Sequence, residues 1–357
     1  MNLPPLKIGE LTAKLPIIQG GMGIGISLSS LASAVANAGG IGVISGVQIG
    51  YKEEDFETNT LNANIRALKK EIQKARKLSP NGILGVNIMV AATHYKELVL
   101  AAVKEKIDLI ICGAGLPSDL PKLIKGSNTK IAPIVSSGKA ASVITRMWKK
   151  KFDYVPDLIV VEGHKAGGHL GFSSEELENS TAKDLHSIVK EVLSVVKPLE
   201  EEYNKHIPIV AGGGVFNGND IAELIKIGAA GVQMATRFVA TEECDAHINF
   251  KKAYVNAGKE DVIIIKSPVG MPGRAINNEF IKSLNSNNSS ITKCYSCIKH
   301  CDPAQTPYCI SKALINAVNG NIDNALVFAG TNAYKIDKIV TVKELMDELV
   351  AEAEANL

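Results

Sequence analysis

Ten residues near the middle of the chain, Glu162-Gly163-His164-Lys165-Ala166-Gly167-Gly168-His169-Leu170-Gly171, hold the side chains best suited to chemistry. Histidine exchanges protons near neutral pH more readily than other side chains. The interleaved glycines let the backbone approach a ligand closely and take up positive φ. An ordinary glycine-rich turn with two solvated histidines would look the same in isolation. Neighbouring segments decide between the two.

Two further stretches have the composition of an anion site. Ala211-Gly212-Gly213-Gly214 offers bare backbone amides, and Gln233-Met234-Ala235-Thr236-Arg237 can add a hydroxyl and a charge. Amides near a helix start bind phosphate well because no side chain shields the donors. Gln19, Met22, Asn87, Gly113, Ser136, Glu162 and His169 fall at or beyond the ends of apolar runs. Asn87, between Val86 and Ile88, is costly to bury unless its amide is satisfied. A structural network would satisfy it, and so would a ring with several hydrogen-bonding edges. Flavin mononucleotide (FMN) combines such a ring with one terminal phosphate.

These groups need elements to hold them. Short runs rich in β-branched residues read as buried strands at 15–19, 41–44, 83–89, 109–113, 131–135, 158–161, 207–211 and 231–235. Amphipathic helical segments separate them, as at 61–78, 140–150 and 184–199. Eight strands alternating with helices predict an α/β protein, a (β/α)8 barrel of the TIM type, whose chemistry sits at the carboxyl ends of its strands. A doubly wound open sheet is the runner-up, but the first βα turn lacks its glycine fingerprint. After residue 240 the alternation stops. The chain thus divides into a barrel (1–240), a smaller, mostly helical cap with clustered cysteines (241–335), and a closing amphipathic helix returning to the barrel (336–357).

Bulk properties narrow the partners. The 357 residues carry a net charge of +2, which gives no case for nucleic acid, and no run is long and apolar enough for a membrane span. Six cysteines without a secretory leader suggest reduced thiols and a cytoplasmic location. A homodimer is compatible with this composition.

The motifs Pro16-Ile17-Ile18-Gln19-Gly20-Gly21-Met22, Gly85-Val86-Asn87-Ile88-Met89, Ala166-Gly167-Gly168-His169, Ala211-Gly212-Gly213-Gly214 and Gln233-Met234-Ala235-Thr236-Arg237-Phe238 resemble, in the same order, those of the nitronate monooxygenase (2-nitropropane dioxygenase) family. That family also includes flavin-dependent enoyl-ACP reductases. The resemblance spans about residues 10–280. It implies an FMN-bound barrel with the phosphate at Gly213, Gly214 and Thr236, and a flavin-side role for His169 rather than His164. The expected cofactor-binding residues are Gly21, Met22, Asn87, Glu162, Gly167, Gly168, Gly212, Gly213, Gly214, Gln233, Ala235 and Thr236, with His169 catalytic. Ala235 stands where many relatives have glycine, which limits how closely a ligand approaches. His164 and Lys165 read as solvent-facing, and Arg274 is a further candidate for contacting an anion.

Cys294-x2-Cys297-x3-Cys301-x7-Cys309, with His300 inside it, is explained least by the resemblance. The spacing could ligate zinc or an iron–sulfur cluster, or place reduced thiols on successive helical turns. No metal is included in the expected site. Two enzyme readings follow. The first is an FMN-dependent nitronate monooxygenase acting on alkyl nitronates with O2. The alternative is an NAD(P)H-dependent flavin reductase acting on enoyl-ACP or a quinone. A non-catalytic redox sensor built on the cysteines is the reading of another class.

Overall fold

A computed structural model describes residues 2–284, 291, 293–299 and 301–357. The polar run 285–290 and His300 lie outside the described residues. Eight parallel strands close into a barrel: β1 (Ile17–Gln19), β2 (Ile41–Ser45), β3 (Ile83–Met89), β4 (Leu109–Gly113), β5 (Lys130–Val135), β6 (Ile159–Glu162), β7 (Ile209–Gly212) and β8 (Gly231–Met234). The last strand pairs with the first, Gln233 beside Ile18. All eight lie within two residues of the runs read from the sequence.

Side chains of successive strand residues point to opposite faces. Ile18, Val43, Leu109, Ile111, Val160 and Val210 therefore pack together inside the barrel, while Ile44, Val86, Ile110, Ile159 and Val232 face the helices. The inner cluster includes Leu6, Ile8 and Ala13 from a hairpin, Leu6–Ile8 with Leu11–Ala13. That hairpin adds apolar volume to the lumen core. The pairing of β1 with β2 is brief, and Gln19 extends it. Its side-chain amide donates to the Val43 carbonyl at 3.2 Å and accepts from the Val43 N–H at 3.0 Å.

Beyond β8 the chain forms helices Ile248–Val255, Glu279–Ser283 and Ile310–Val318. It also forms an antiparallel hairpin, Val262–Lys266 with Pro272–Ile276. The second hairpin strand pairs with Gly168–His169 of the loop after β6, His169 opposite Gly273. Nothing local in 162–171 signals this pairing, because the partner lies about a hundred residues away. Asp245 also reaches back, its carboxylate accepting from the N–H groups of Leu28, Ser30 and Leu31 at the start of helix Ser29–Asn37. The chain ends in helix Val342–Asn356, with Leu345 and Leu349 buried. Glu352 of that helix accepts the Gly218 N–H at 2.7 Å.

Candidate active site

The carboxyl ends of the strands open on a cavity of about 280 Å³. Gly21 and Met22 enter its wall from the loop after β1, Asn87 from β3, and Glu162 with Gly167, Gly168 and His169 from β6 and its loop. Gly213 and Gly214 follow β7, and Gln233, Ala235 and Thr236 belong to the end of β8. Gly212 lies one step below this wall. It is paired within the sheet to Glu162 and Gln233, and its carbonyl accepts the Gly163 N–H.

One end of the cavity is lined by glycines, a hydroxyl and a cation. Gly213 and Gly214 take φ of +91° and +104°, a region open to glycine. A Cβ at Gly213 would lie 2.6 Å from the Gly163 carbonyl oxygen. The Thr236 hydroxyl and the Lys165 side chain are in the same wall. Among the described residues Lys165 is its one cation close to these glycines, so it faces the site as well as solvent. The segment Ala329–Asn332 completes this end: the Asn332 amide donates to the Gly214 carbonyl at 2.7 Å. A Cβ at Gly167 would come within 2.6 Å of the backbone there.

Some polar groups of the cavity wall lack protein partners. Gln233 Oε1 and Thr331 Oγ1 are buried without a hydrogen bond. The half-buried Asn87 amide and Glu162 carboxyl line the same cavity. Burial alone raises the Glu162 carboxyl from 4.5 to about 7. Orphaned buried groups typically cost about 1–3 kcal/mol each. Several around one cavity fit a ligand with donors and acceptors on its edges, and the glycine end fits that ligand's phosphate.

His169 is held from both sides. Its Nε2 lies 2.7 Å from Ser267 Oγ, and its ring meets Phe328 edge-on, with centroids 5.0 Å apart. Burial lowers the imidazole to about 4. At neutral pH it is therefore uncharged. It can accept a proton or hydrogen-bond a substrate oxygen, but it does not supply a positive charge. Ser267, Phe328 and Ala329–Asn332 were not readable in the sequence as site residues, since each arrives from the segment after the barrel.

Other candidates lie elsewhere. Arg274 is buried, its guanidinium donating to the carbonyls of His164 and Ala166 at 2.7 and 2.5 Å. It clamps the loop after β6 rather than meeting an anion in the cavity. Arg237 pairs with Glu348 at 2.8 Å and donates to the Phe216 carbonyl, away from the site. His164 Nδ1 faces the Lys183 carbonyl at 3.2 Å. Ser136 contacts the Gly171 carbonyl. Burial pushes the Cys112 and Cys244 thiols up, as suits inert core residues. Residues Cys297, Ile298, Ile310 and Leu314 close one side of the cavity.

A closed eight-stranded parallel barrel with a cavity at the carboxyl ends of its strands defines a (β/α)8 barrel of the TIM type. The chain belongs to the nitronate monooxygenase family, whose model matches residues 5–352, and this is a family of oxidoreductases. A probable nitronate monooxygenase of Staphylococcus aureus is 29% identical over 310 residues, 77% of this chain and 78% of that protein. The (3aS,4S,5R,7aS)-5-hydroxy-7a-methyl-1-oxo-octahydro-1H-indene-4-carboxyl-CoA dehydrogenase of Rhodococcus jostii is 25% identical, covering 95% of this chain and 92% of that one. The solved structure of FabK from Thermotoga maritima superposes with a TM-score of 0.72 at 26% identity, covering 95% and 93% of the two chains. Nitroalkane oxidase from Streptomyces ansochromogenes shares the fold, with a TM-score of 0.74 at 20% identity over 96% of each chain. No helix among the described residues is long and apolar enough to cross a membrane.

Proposed function

We propose that the chain is an FMN-dependent oxidoreductase whose reactive end takes an uncharged, acyl-thioester-like or conjugated carbonyl substrate. Bound FMN supplies hydride-equivalent transfer to or from carbon. Gly213, Gly214, Thr236 and Lys165 hold its phosphate, while Asn87, Glu162, Gln233 and Thr331 hydrogen-bond the remainder. His169 orients a substrate oxygen or accepts a proton at the imidazole nitrogen not engaged by Ser267. Phe328, Ile298 and Leu314 exclude water above it.

The observation that carries the substrate reading is electrostatic. His169 is neutral, Arg274 and Arg237 are occupied elsewhere, and Lys165 stands at the glycine end. A nitronate anion would thus find no arginine in the cavity wall to pair with directly, whereas an acyl chain meets apolar walls. Two relatives matching nearly the whole chain, the CoA dehydrogenase and FabK, support this reading. The nitronate monooxygenase reading, with O2 as oxidant and placed first from the sequence, becomes the second here and is favoured by the Staphylococcus aureus relatives. A cytoplasmic location suits its free thiols.

Anaerobic rapid mixing decides between them. NADH, NADPH and ethyl nitronate are each mixed with flavin-loaded protein, and bleached protein is then mixed with crotonyl-CoA or a quinone. Bleaching by a nicotinamide, followed by reoxidation with the thioester, is the expected result. Fast bleaching by nitronate with none by either nicotinamide would overturn it. Protein that binds no FMN would overturn both readings.

A further inference from the structure

The four clustered cysteines form a site of their own. Cys294, Cys297, Cys301 and Cys309 all line a second cavity of about 350 Å³, and all four are free thiols. The segment carrying the first three is tied to the barrel. The Thr93 N–H donates to the Cys297 carbonyl, the Lys299 N–H donates to the Ala91 carbonyl, and Gln48 Nε2 donates to the Tyr295 carbonyl at 3.2 Å. Ser296, with φ of +47°, turns the chain between Cys294 and Cys297. Cys309 arrives separately, at the start of helix Ile310–Val318.

A polar group lies beside each sulfur. The Ser296 N–H points at Cys294 Sγ at 3.3 Å, and Thr306 Oγ1 lies 3.8 Å from Cys301 Sγ. The Ser311 hydroxyl bonds the Cys297 thiol, and the N–H groups of Ser311 and Lys312 bond that of Cys309. The first of these thiols is exposed and the others are half-buried, unlike the inert core thiols Cys112 and Cys244.

The arrangement separates two kinds of metal site. A single zinc needs its ligands to converge on one point about 2.3 Å from each sulfur. Among the described residues, no three Cys, His, Asp or Glu side chains converge in that way. All four thiols nevertheless line one cavity, and a polynuclear centre needs only one cysteine at each outer iron. We propose that Cys294, Cys297, Cys301 and Cys309 ligate an iron–sulfur cluster. Cys297, Ile298 and Ile310 belong to the walls of both cavities, so the cluster lies directly against the candidate active site. A coating of reduced cysteines on helical turns does not describe this geometry, since 293–297 is not helical and Cys309 only begins a helix.

The test reads iron and sulfide, which keeps it independent of the flavin proposal. Protein prepared without oxygen, and protein reconstituted with ferrous iron and sulfide, should contain iron and acid-labile sulfide in equal amounts, roughly two to four of each per chain. Cys294→Ser and Cys301→Ser, neither of which lines the active-site cavity, should each lose most of both while keeping the wild-type flavin content. Cys112→Ser should keep the iron and sulfide. Stoichiometric zinc without sulfide, or no iron after reconstitution, would overturn the proposal, and wild type alone gives either result. Full iron and sulfide in both ligand variants would overturn it as well.

Discussion

Replacing His169 with asparagine tests the site where structure and chemistry meet most directly. The imidazole is lowered from 6.5 to about 4 by burial, so about one ring in a thousand is protonated at pH 7. That displacement corresponds to an upper figure of roughly 3 kcal/mol against charging the ring, and one edge open to the cavity reduces it. The sign follows from proton uptake. Between pH 6.5 and 4 the unfolded chain binds this proton and the folded chain does not, so stability from His169 falls as the pH drops through that window. Turnover should therefore stay level from pH 8 to about 5.5 as far as His169 is concerned. His169→Asn should lower turnover by about 10²-fold or more, the usual scale for losing an acid–base group, with FMN content unchanged. Ser267→Ala removes the partner 2.7 Å from Nε2 and frees the ring. It should lower kcat more than it raises KM, and move the acid limb of the pH profile upward. Wild-type turnover in fully loaded His169→Asn would remove the histidine from the mechanism. A wild-type limb near pH 6.5 that vanishes in that variant would refute the buried, neutral ring.

Glu162 gives the opposite dependence, because burial raises its carboxyl to about 7. The folded apoprotein holds this proton between pH 4.5 and 7 while the unfolded chain has released it, so stability from Glu162 falls as pH rises through that window. Urea unfolding of apoprotein at pH 5.5 and 8 should show Glu162→Gln losing about 1–2 kcal/mol less than wild type on going to the higher pH, after allowance for water in the cavity. Parallel pH profiles would refute it. Gly167→Ala places a Cβ 2.6 Å from the Ala329 backbone and should push segment 329–332 off the anion end. FMN affinity measured by fluorescence quenching should fall at least tenfold, and unchanged affinity would show that this contact does not shape the cradle.

The barrel was legible because its evidence is local. Runs such as Ile83–Met89 and Leu109–Gly113 are almost wholly apolar, flanked by glycine or polar turns, and too short for helices. Their order then dictated which loops share a rim, so Asn87, Glu162, Gly213 and Thr236 could be expected in one place although they are scattered along the chain. The lumen hairpin was missed because Leu6-Lys7-Ile8 and Leu11-Thr12-Ala13 are three-residue strands, with too few alternations to register. Arg274 was misread for a related reason. Its charge and the surrounding glycines suggested a ligand, but a buried guanidinium satisfied by two backbone carbonyls has a structural duty that only the fold reveals.

What remained hidden has one physical origin. The loop after β6 contains His169, yet its conformation is set from outside: Arg274 fixes the carbonyls of His164 and Ala166, Gly273 pairs with His169, and Ser267 holds the ring. All three belong to the hairpin region after the barrel. The same region, continued through Cys297 and Leu314, walls the cavity above the strand ends. Backbone amides after β7 and β8 are generic donors that any barrel of this kind can offer an anion. Choosing the substrate and fixing the catalytic ring require contacts that strand ends cannot make. The segment after residue 240 is therefore where relatives sharing this barrel can diverge in chemistry, and here the cysteine cavity stands against that same wall.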